Sequence, residues 1–366
     1  MKVGWVFPKN KRCGISFYSH KYIDVLEGLV DVVAVDISEI PADQNCFSLL
    51  NSCDIVHIQY ETSLFVRGKD VKYDEVCSRI TVPVVVTLHE IYRRFPGVFP
   101  REELQGNWII KWLKQLLYDY RHPLQTAFRE HRAANFYARS LLVHSRFQKE
   151  ILIEKGAGAH LIRVIPYPVQ QQIQRGIFSC DKSGPLRLVS TGFINPNFNY
   201  ELLFKVLEGL GEKWTFTWIG GVRREEDRGL LEHLNSEIAC RHWQDQFTVT
   251  GWISDEERDR LMKEAHIYCA FFKTRSSSES LATAIGMKKM IIAVRLEFIE
   301  EIIQRYPLCV VVNNDSNEII KEIKHVVVDR DFREEKFEAL NEYNKAFSYP
   351  SMARTLVSHY ESIIGS

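Results

Sequence analysis

The feature that most constrains this chain is a recurrence of short Val- and Ile-rich runs that lack polar alternation. In the first half they fall at residues 3–7, 31–35, 55–58, 82–88, 141–144 and 162–165. A strand with one wet face alternates apolar and polar residues. A run that is apolar throughout is covered on both faces, as in a parallel sheet sandwiched between helices. Longer stretches with helical spacing separate the runs, for example residues 17–29. Residues 1–168 are therefore expected to form a Rossmann-like α/β domain. Pro166, Pro168 and the polar Gln170-Gln171-Gln172 break the pattern, and Asp181-Lys182-Ser183-Gly184-Pro185 follows, so residues 169–185 are expected to be a linker. The cycle then restarts at residues 186–190, 214–219, 247–250, 267–271, 290–294 and 308–312. This predicts a second Rossmann-like domain over 186–349, with 350–366 as a terminal helix expected to return to the first. A length of 366 residues suits two such domains. Ligands of such sheets sit at the carboxyl ends of the strands, so two of them predict a central cleft.

Composition narrows the function classes. Lys plus Arg and Asp plus Glu both number 47, for a net charge of zero. Nucleic-acid binding runs on excess positive charge, so no nucleic-acid partner is expected. The opening Met1-Lys2-Val3-Gly4-Trp5-Val6-Phe7 reads as a strand rather than a signal peptide, because Pro8 to Arg12 interrupts it too soon. No run approaches the roughly 18 apolar residues of a membrane span. The eight cysteines are scattered with no CxxC pair, which fits free thiols in a reducing, cytoplasmic compartment. Neither Cys nor His falls at zinc-ligand spacing, so no metal is expected.

Five constellations carry candidate chemistry. Lys11-Arg12-Cys13-Gly14-Ile15-Ser16 follows the first strand; Gly14 permits close approach of a ligand, and the next helix offers free N–H groups to a phosphate. A plain strand-to-helix turn reads the same way. In residues 54–61 polar side chains appear as an apolar strand ends; His57 reads as a satisfied core histidine and Glu61 as an acceptor contact. Residues 84–90 run out into His89-Glu90, where His89 is expected to meet a sugar hydroxyl and Glu90 to orient it. Lys273-Thr274-Arg275-Ser276-Ser277-Ser278-Glu279-Ser280 opens a helix. Hydroxyls, unpaired N–H groups, a helix dipole and two cations together suit a pyrophosphate, although a well-capped helix beside solvated cations has the same sequence. Finally, residues 107–121 place Trp108, Ile109, Trp112, Leu113, Leu116, Leu117 and Tyr120 on one helical face, which reads as core or as a peripheral membrane contact.

In this order the pieces resemble the retaining GT-B glycosyltransferases of family four, the bacterial polysaccharide and glycolipid group, over nearly the whole chain. The resemblance is carried by Cys13-Gly14-Ile15 with Tyr18, residues 54–61, Thr87-Leu88-His89, Val143-His144-Ser145 with Phe147, and Val164-Ile165-Pro166 with Val169. It continues through Gly192-Phe193-Ile194-Asn195-Pro196, Thr250-Gly251-Trp252-Ile253 with Asp255-Glu256, and residues 284–293. The resemblance implies hexosyl transfer from a nucleotide-diphosphate sugar, used as substrate with no cofactor, to a saccharide or glycolipid acceptor. It implies retention of configuration and no metal. His89 and Arg275 would be catalytic; Gly14, Gly192, Arg223, Lys273, Ser276, Ser277, Ser278 and Glu279 would hold the donor; Glu61 and Glu90 would face the acceptor. The chain departs from the family at four positions. Phe193 and Phe198 stand where an Arg and a Lys grip the diphosphate, and Arg275 and Thr283 stand at two glutamate positions. Some branches carry a serine-rich loop instead, which residues 276–280 resemble. The alternative is a catalytically degenerate GT-B protein that serves as a binding or partner subunit of another glycosyltransferase, with Phe193 and Phe198 filling the diphosphate site.

Overall fold

The computed structural model describes residues 1–40, 44–65, 73–92, 107–110, 112–113, 137–171, 184–211, 213–223 and 225–365. The chain divides into two compact units: Met1–Tyr167 with Tyr349–Ser366, and Pro168–Ser348.

The first unit is built on six strands: β1 (Lys2–Phe7), β2 (Asp31–Asp36), β3 (Ile55–Tyr60), β4 (Val84–Leu88), β5 (Ser140–Val143) and β6 (Ile162–Val164). They pair in the order β2-β1-β3-β4-β5-β6, parallel throughout. Every residue of β3, β4 and β5 is buried, as runs without alternation require. The run at 82–88 contributes strand only from Val84, because Pro83 has no N–H for a ladder. Helix α1 (Gly14–Leu26) follows β1, α2 (Gln44–Asn51) precedes β3, and the short α3 (Thr62–Phe65) and α4 (Tyr73–Ser78) lie between β3 and β4. Helix α5 (Arg146–Glu154) follows β5 and is capped by Ser145 Oγ, which accepts from Gln148 N–H.

The second unit carries β7 (Leu186–Thr191), β8 (Trp214–Ile219), β9 (Phe247–Val249), β10 (Ile267–Ala270), β11 (Met290–Val294) and β12 (Val310–Val312). Their order is β12-β11-β10-β7-β8-β9, again parallel. Its helices are α6 (Tyr200–Leu210), α7 (Arg228–Cys240), α8 (Asp255–Glu264), α9 (Glu279–Gly286), α10 (Glu297–Arg305), α11 (Ser316–Val328) and α12 (Arg330–Ala346). Trp214, Trp218 and Phe216 of β8 are fully buried, and each such side chain contributes roughly 1.5–3 kcal/mol by leaving water.

Helix α13 (Tyr349–Ile364) belongs to the first unit and packs on α1, with Tyr349 5.2 Å from Tyr22 between ring centroids. Its Tyr360 hydroxyl bonds His57 Nδ1, whose Nε2 meets Thr87 Oγ1 at 2.7 Å, so this buried histidine is satisfied at both nitrogens. Burial holds His57 down to about 3 and hence neutral. Residues 172–183, most of the expected linker, lie outside the described residues. Val169 pairs with Ser348 within the second unit.

Candidate functional site

Two constellations form at the carboxyl edges of the two sheets, one in each unit.

In the first, the loop after β1 is fixed by Asp36 at the end of β2. Its carboxylate accepts from Asn10 N–H at 2.9 Å, Ser38 N–H at 2.8 Å and Ser38 Oγ at 2.7 Å. Burial pushes this carboxyl up, but the hydrogen bonds from Ser38 and Asn10 outweigh it and hold the group below its ordinary value. Helix α1 then begins at Gly14, with Cys13 extended at the cap and its side chain making no capping hydrogen bond. The arrangement leaves the helix N-terminus facing the loop that the sequence marked for phosphate.

The ends of β3 and β4 bring Gln59, Glu61, His89 and Glu90 to the same edge. Gln59 and His89 are buried; Glu61 and Glu90 are half-buried. His89 Nε2 lies 2.9 Å from Gln59 Oε1 and His89 Nδ1 lies 3.4 Å from His144 Nε2. His144 Nδ1 meets the Ile165 carbonyl at 3.2 Å. Gln148 ties the two together, donating to the His89 carbonyl at 3.3 Å and accepting from His144 N–H at 2.7 Å. The Tyr18 ring stands edge-on to His89 at 4.8 Å, and Tyr167 lies 4.7 Å from His144. Burial, and then the neighbouring His144, push His89 well below its ordinary pKa; burial takes His144 to about 4. Both rings are thus neutral near pH 7. Gln59 and His144 thus stand at the two ring nitrogens of His89. No local sequence pattern marks these two; strand register brings them together, since β3 and β4 pair Gln59 with Thr87 and β4 and β5 pair Thr87 with Leu142.

In the second unit, Gly192 follows β7 with φ +120° and Gly220 follows β8 with φ +136°, a region that side chains rarely enter. A Cβ on Gly220 would stand 2.2 Å from the Gly192 carbonyl oxygen, so the two loops touch backbone to backbone. The loop after Gly192 is zipped to the one after β10: Asn199 N–H meets the Phe271 carbonyl at 2.8 Å and Lys273 N–H the Asn197 carbonyl at 2.7 Å. This aims Gly192 at the start of α9, where a Cβ would lie 3.9 Å from Ser280. Ser278 caps α9, its Oγ accepting from Leu281 N–H at 3.2 Å and lying 3.0 Å from Ser280 Oγ. Ser276 is buried, while Ser277, Glu279 and Arg275 are half-buried and Lys273 is exposed. The Arg275 guanidinium sits 5.9 Å over the Phe272 ring. Arg223 is exposed, 5.3 Å over Phe193, and Phe193 meets Trp252 edge-on at 5.3 Å. Trp252 is 48% exposed and bonds the Val222 carbonyl through Nε1 at 3.3 Å.

The two phenylalanines expected to replace diphosphate-gripping cations diverge. Phe198 is buried in the core against Trp218 at 4.7 Å and Tyr200 at 5.1 Å, so its bulk goes into the packing. Phe193 stays at the surface with Trp252 and Arg223. Among the described residues, no three His, Cys, Asp or Glu side chains are grouped as a metal site, and no helix is long and apolar enough to cross a membrane. Of the 107–121 stretch, residues 111 and 114–121 lie outside the described residues. Trp108, Ile109, Ile110, Trp112 and Leu113 are exposed, Trp108 by 76%, so these side chains are not core. Helical spacing sets a stripe but does not supply the surface that would bury it.

Residues 185–329 match the family described as Glycosyl transferases group 1. Comparison with curated protein sequences finds no match. Among solved structures, HepE of Anabaena in complex with UDP is similar over 99% of this chain and 100% of its own, at 12% identity and a TM-score of 0.70. The same protein in complex with UDP-glucose gives 13% and 0.69, with 99% and 100% covered. Sucrose-phosphate synthase of Thermosynechococcus elongatus matches over 100% of both chains at 11% identity and a TM-score of 0.71. A glycosyltransferase of Rickettsia africae matches over 99% of this chain and 98% of its own, at 15% and 0.68. At these identities the likeness establishes the fold: two Rossmann-like α/β domains of the GT-B class.

Proposed function

We propose that this chain is a glycosyltransferase that moves a hexosyl group from a nucleotide-diphosphate sugar to a saccharide or glycolipid acceptor, with retention of configuration and without a metal. The observation that carries the reading is the pairing of Gly192 and Gly220 with the serine-capped start of α9, inside the segment matched to Glycosyl transferases group 1. Backbone that only glycine allows, three serines, a helix N-terminus and nearby Lys273, Arg275 and Arg223 are the parts a diphosphate needs. HepE, of the same fold, binds UDP and UDP-glucose, which favours a uridine nucleotide here. The exposed Trp252 beside Phe193 offers a face for the base.

In this reading the second domain holds the nucleotide and its diphosphate, while in the first domain Glu61 and Glu90 serve the acceptor, His89 the transferred sugar and Gly14 a phosphate. As the bond to the diphosphate breaks, negative charge grows on its oxygen. Arg275, Lys273 and the α9 N-terminus stabilise that charge in place of a metal. The acceptor hydroxyl forms the new bond on the face the leaving group vacates, and its proton passes to the departing phosphate oxygen. The reaction thus balances without a separate protein base. The exposed Trp108 and Trp112 suit an interfacial contact with the membrane of a glycolipid acceptor.

The test is a thermal-shift and turnover screen against nucleotide diphosphates and nucleotide sugars, with and without magnesium. Stabilisation by one nucleotide family, unchanged by the metal, together with sugar transfer, supports the reading. A second reading, the degenerate partner subunit, is favoured by Phe193 and Phe198 at the family's cation positions. Nucleotide-dependent stabilisation with no turnover toward any acceptor selects it.

A further inference from the structure

The first domain contains a chain of hydrogen-bonding groups whose direction is set at one end. His144 Nδ1 faces the Ile165 carbonyl oxygen at 3.2 Å, and that oxygen can only accept, so Nδ1 carries the proton. The ring is neutral, which makes its Nε2 a bare acceptor. Nε2 faces His89 Nδ1 at 3.4 Å, so a bond between the rings needs the proton on His89 Nδ1. His89 is neutral too, and its Nε2 is then also an acceptor. Yet Nε2 lies 2.9 Å from Gln59 Oε1, acceptor against acceptor. Meanwhile, among the described residues, Gln59 Nε2 is buried with no hydrogen-bond partner. A half-turn of the amide removes the clash and gives the buried nitrogen a partner, because its two ends have nearly the same shape.

We propose that Gln59 and His144 are positioning residues for His89, through a relay that runs from Gln59 Nε2–H to His89 Nε2, from His89 Nδ1–H to His144 Nε2, and from His144 Nδ1–H to the Ile165 carbonyl. The relay fixes His89 as the Nδ1–H tautomer. Its importance for catalysis rests on the reading above, in which His89 meets the transferred sugar. There the ring offers a sugar hydroxyl an acceptor nitrogen and no proton, in exchange with the Gln59 amide. The hydroxyl is thereby recognised as a donor.

The tautomer can be read directly in the unliganded full chain. Long-range proton–nitrogen correlation spectra of nitrogen-15-labelled histidines would be recorded near neutral pH, with His89→Asn and His144→Asn giving the assignments. Both rings are expected to be neutral and Nδ1-protonated. A His89 ring protonated at Nε2, alone or as imidazolium, overturns the relay. Gln59→Glu presents only acceptors when ionised and should move the His89 proton to Nε2 or add one there. Gln59→Leu should keep Nδ1–H, because His144 still dictates it. With UDP-glucose as the probe, Gln59→Glu should lower kcat about tenfold while KM changes less than about threefold. An altered tautomer with unchanged kcat overturns the positioning role. A wild-type protein inert toward UDP-glucose but with both rings Nδ1-protonated counts against that donor in the sugar-transfer reading and leaves the relay standing.

Discussion

His89 and Arg275 are the two side chains on which the proposed chemistry most depends, and their surroundings differ. His89 is enclosed by Gln59, His144 and Tyr18, so its contribution is a fixed neutral ring. Arg275 is half-buried over the Phe272 ring, where it presents a planar guanidinium. Arg275→Ala should lower kcat/KM roughly 100-fold, the scale of losing one group that stabilises developing charge. His89→Ala should lower kcat about tenfold or more. Rates equal to wild type in both variants would end the assignment. Gly220 makes a different kind of demand. A methyl group there meets the Gly192 carbonyl at 2.2 Å in a backbone conformation with φ +136°. Gly220→Ala should therefore cost at least about 2 kcal/mol, read as a shifted denaturation midpoint, and should abolish nucleotide-dependent stabilisation in whatever protein remains folded.

At the scale of elements, two helices connect sequence to site. Helix α9 owes its start to Ser278, whose hydroxyl satisfies Leu281 N–H. Ser278→Ala should cost about 1 kcal/mol of stability. It should also weaken nucleotide binding, whereas a helix cap with no ligand role would change only the first. Helix α13 is tied to the first domain by Tyr360 on His57 and by His359 Nε2 on Ser140 Oγ at 2.9 Å. Tyr360→Phe strands a buried imidazole nitrogen and should cost about 1–3 kcal/mol; an unchanged melting temperature would show that His57 finds another partner. The apolar runs marked the strands well, because a strand covered on both faces is recorded in consecutive residues. The terminal helix was readable from its spacing, but its contacts with α1 and β3 join residues about 300 positions apart, and no local pattern encodes them.

For the whole molecule, three buried histidines of the first domain set a pH dependence. His57, His89 and His144 titrate near 6.5 when unfolded, while burial holds the first at about 3, the second well below its ordinary value and the third at about 4. A depressed histidine pKa means that the unfolded chain binds protons the folded one refuses. Stability contributed by the neutral rings is therefore full above about pH 6.5 and is lost as pH falls toward 4, by up to about 1.4 kcal/mol per pH unit for each ring. Urea midpoints measured from pH 7 to pH 4.5 should fall steeply, and His144→Gln should flatten the slope. A midpoint independent of pH over that range would contradict neutral burial of these rings.

The sequence by itself determined the doubly covered parallel sheets, the core character of His57 and the serine-capped helix of the second domain, because each is written in neighbouring residues. The tertiary structure decided what those residues meet. Phe193 and Phe198 are five positions apart and the resemblance casts both in one role, yet one is half-buried beside Trp252 and the other packs under Trp218. Trp108 and Trp112 share the spacing of a core stripe and are nonetheless exposed. Gln59 and His144 reach His89 only because β3, β4 and β5 lie side by side. Periodicity states which face of an element is apolar; the register between distant strands and the packing partner of each face are properties of the folded chain alone.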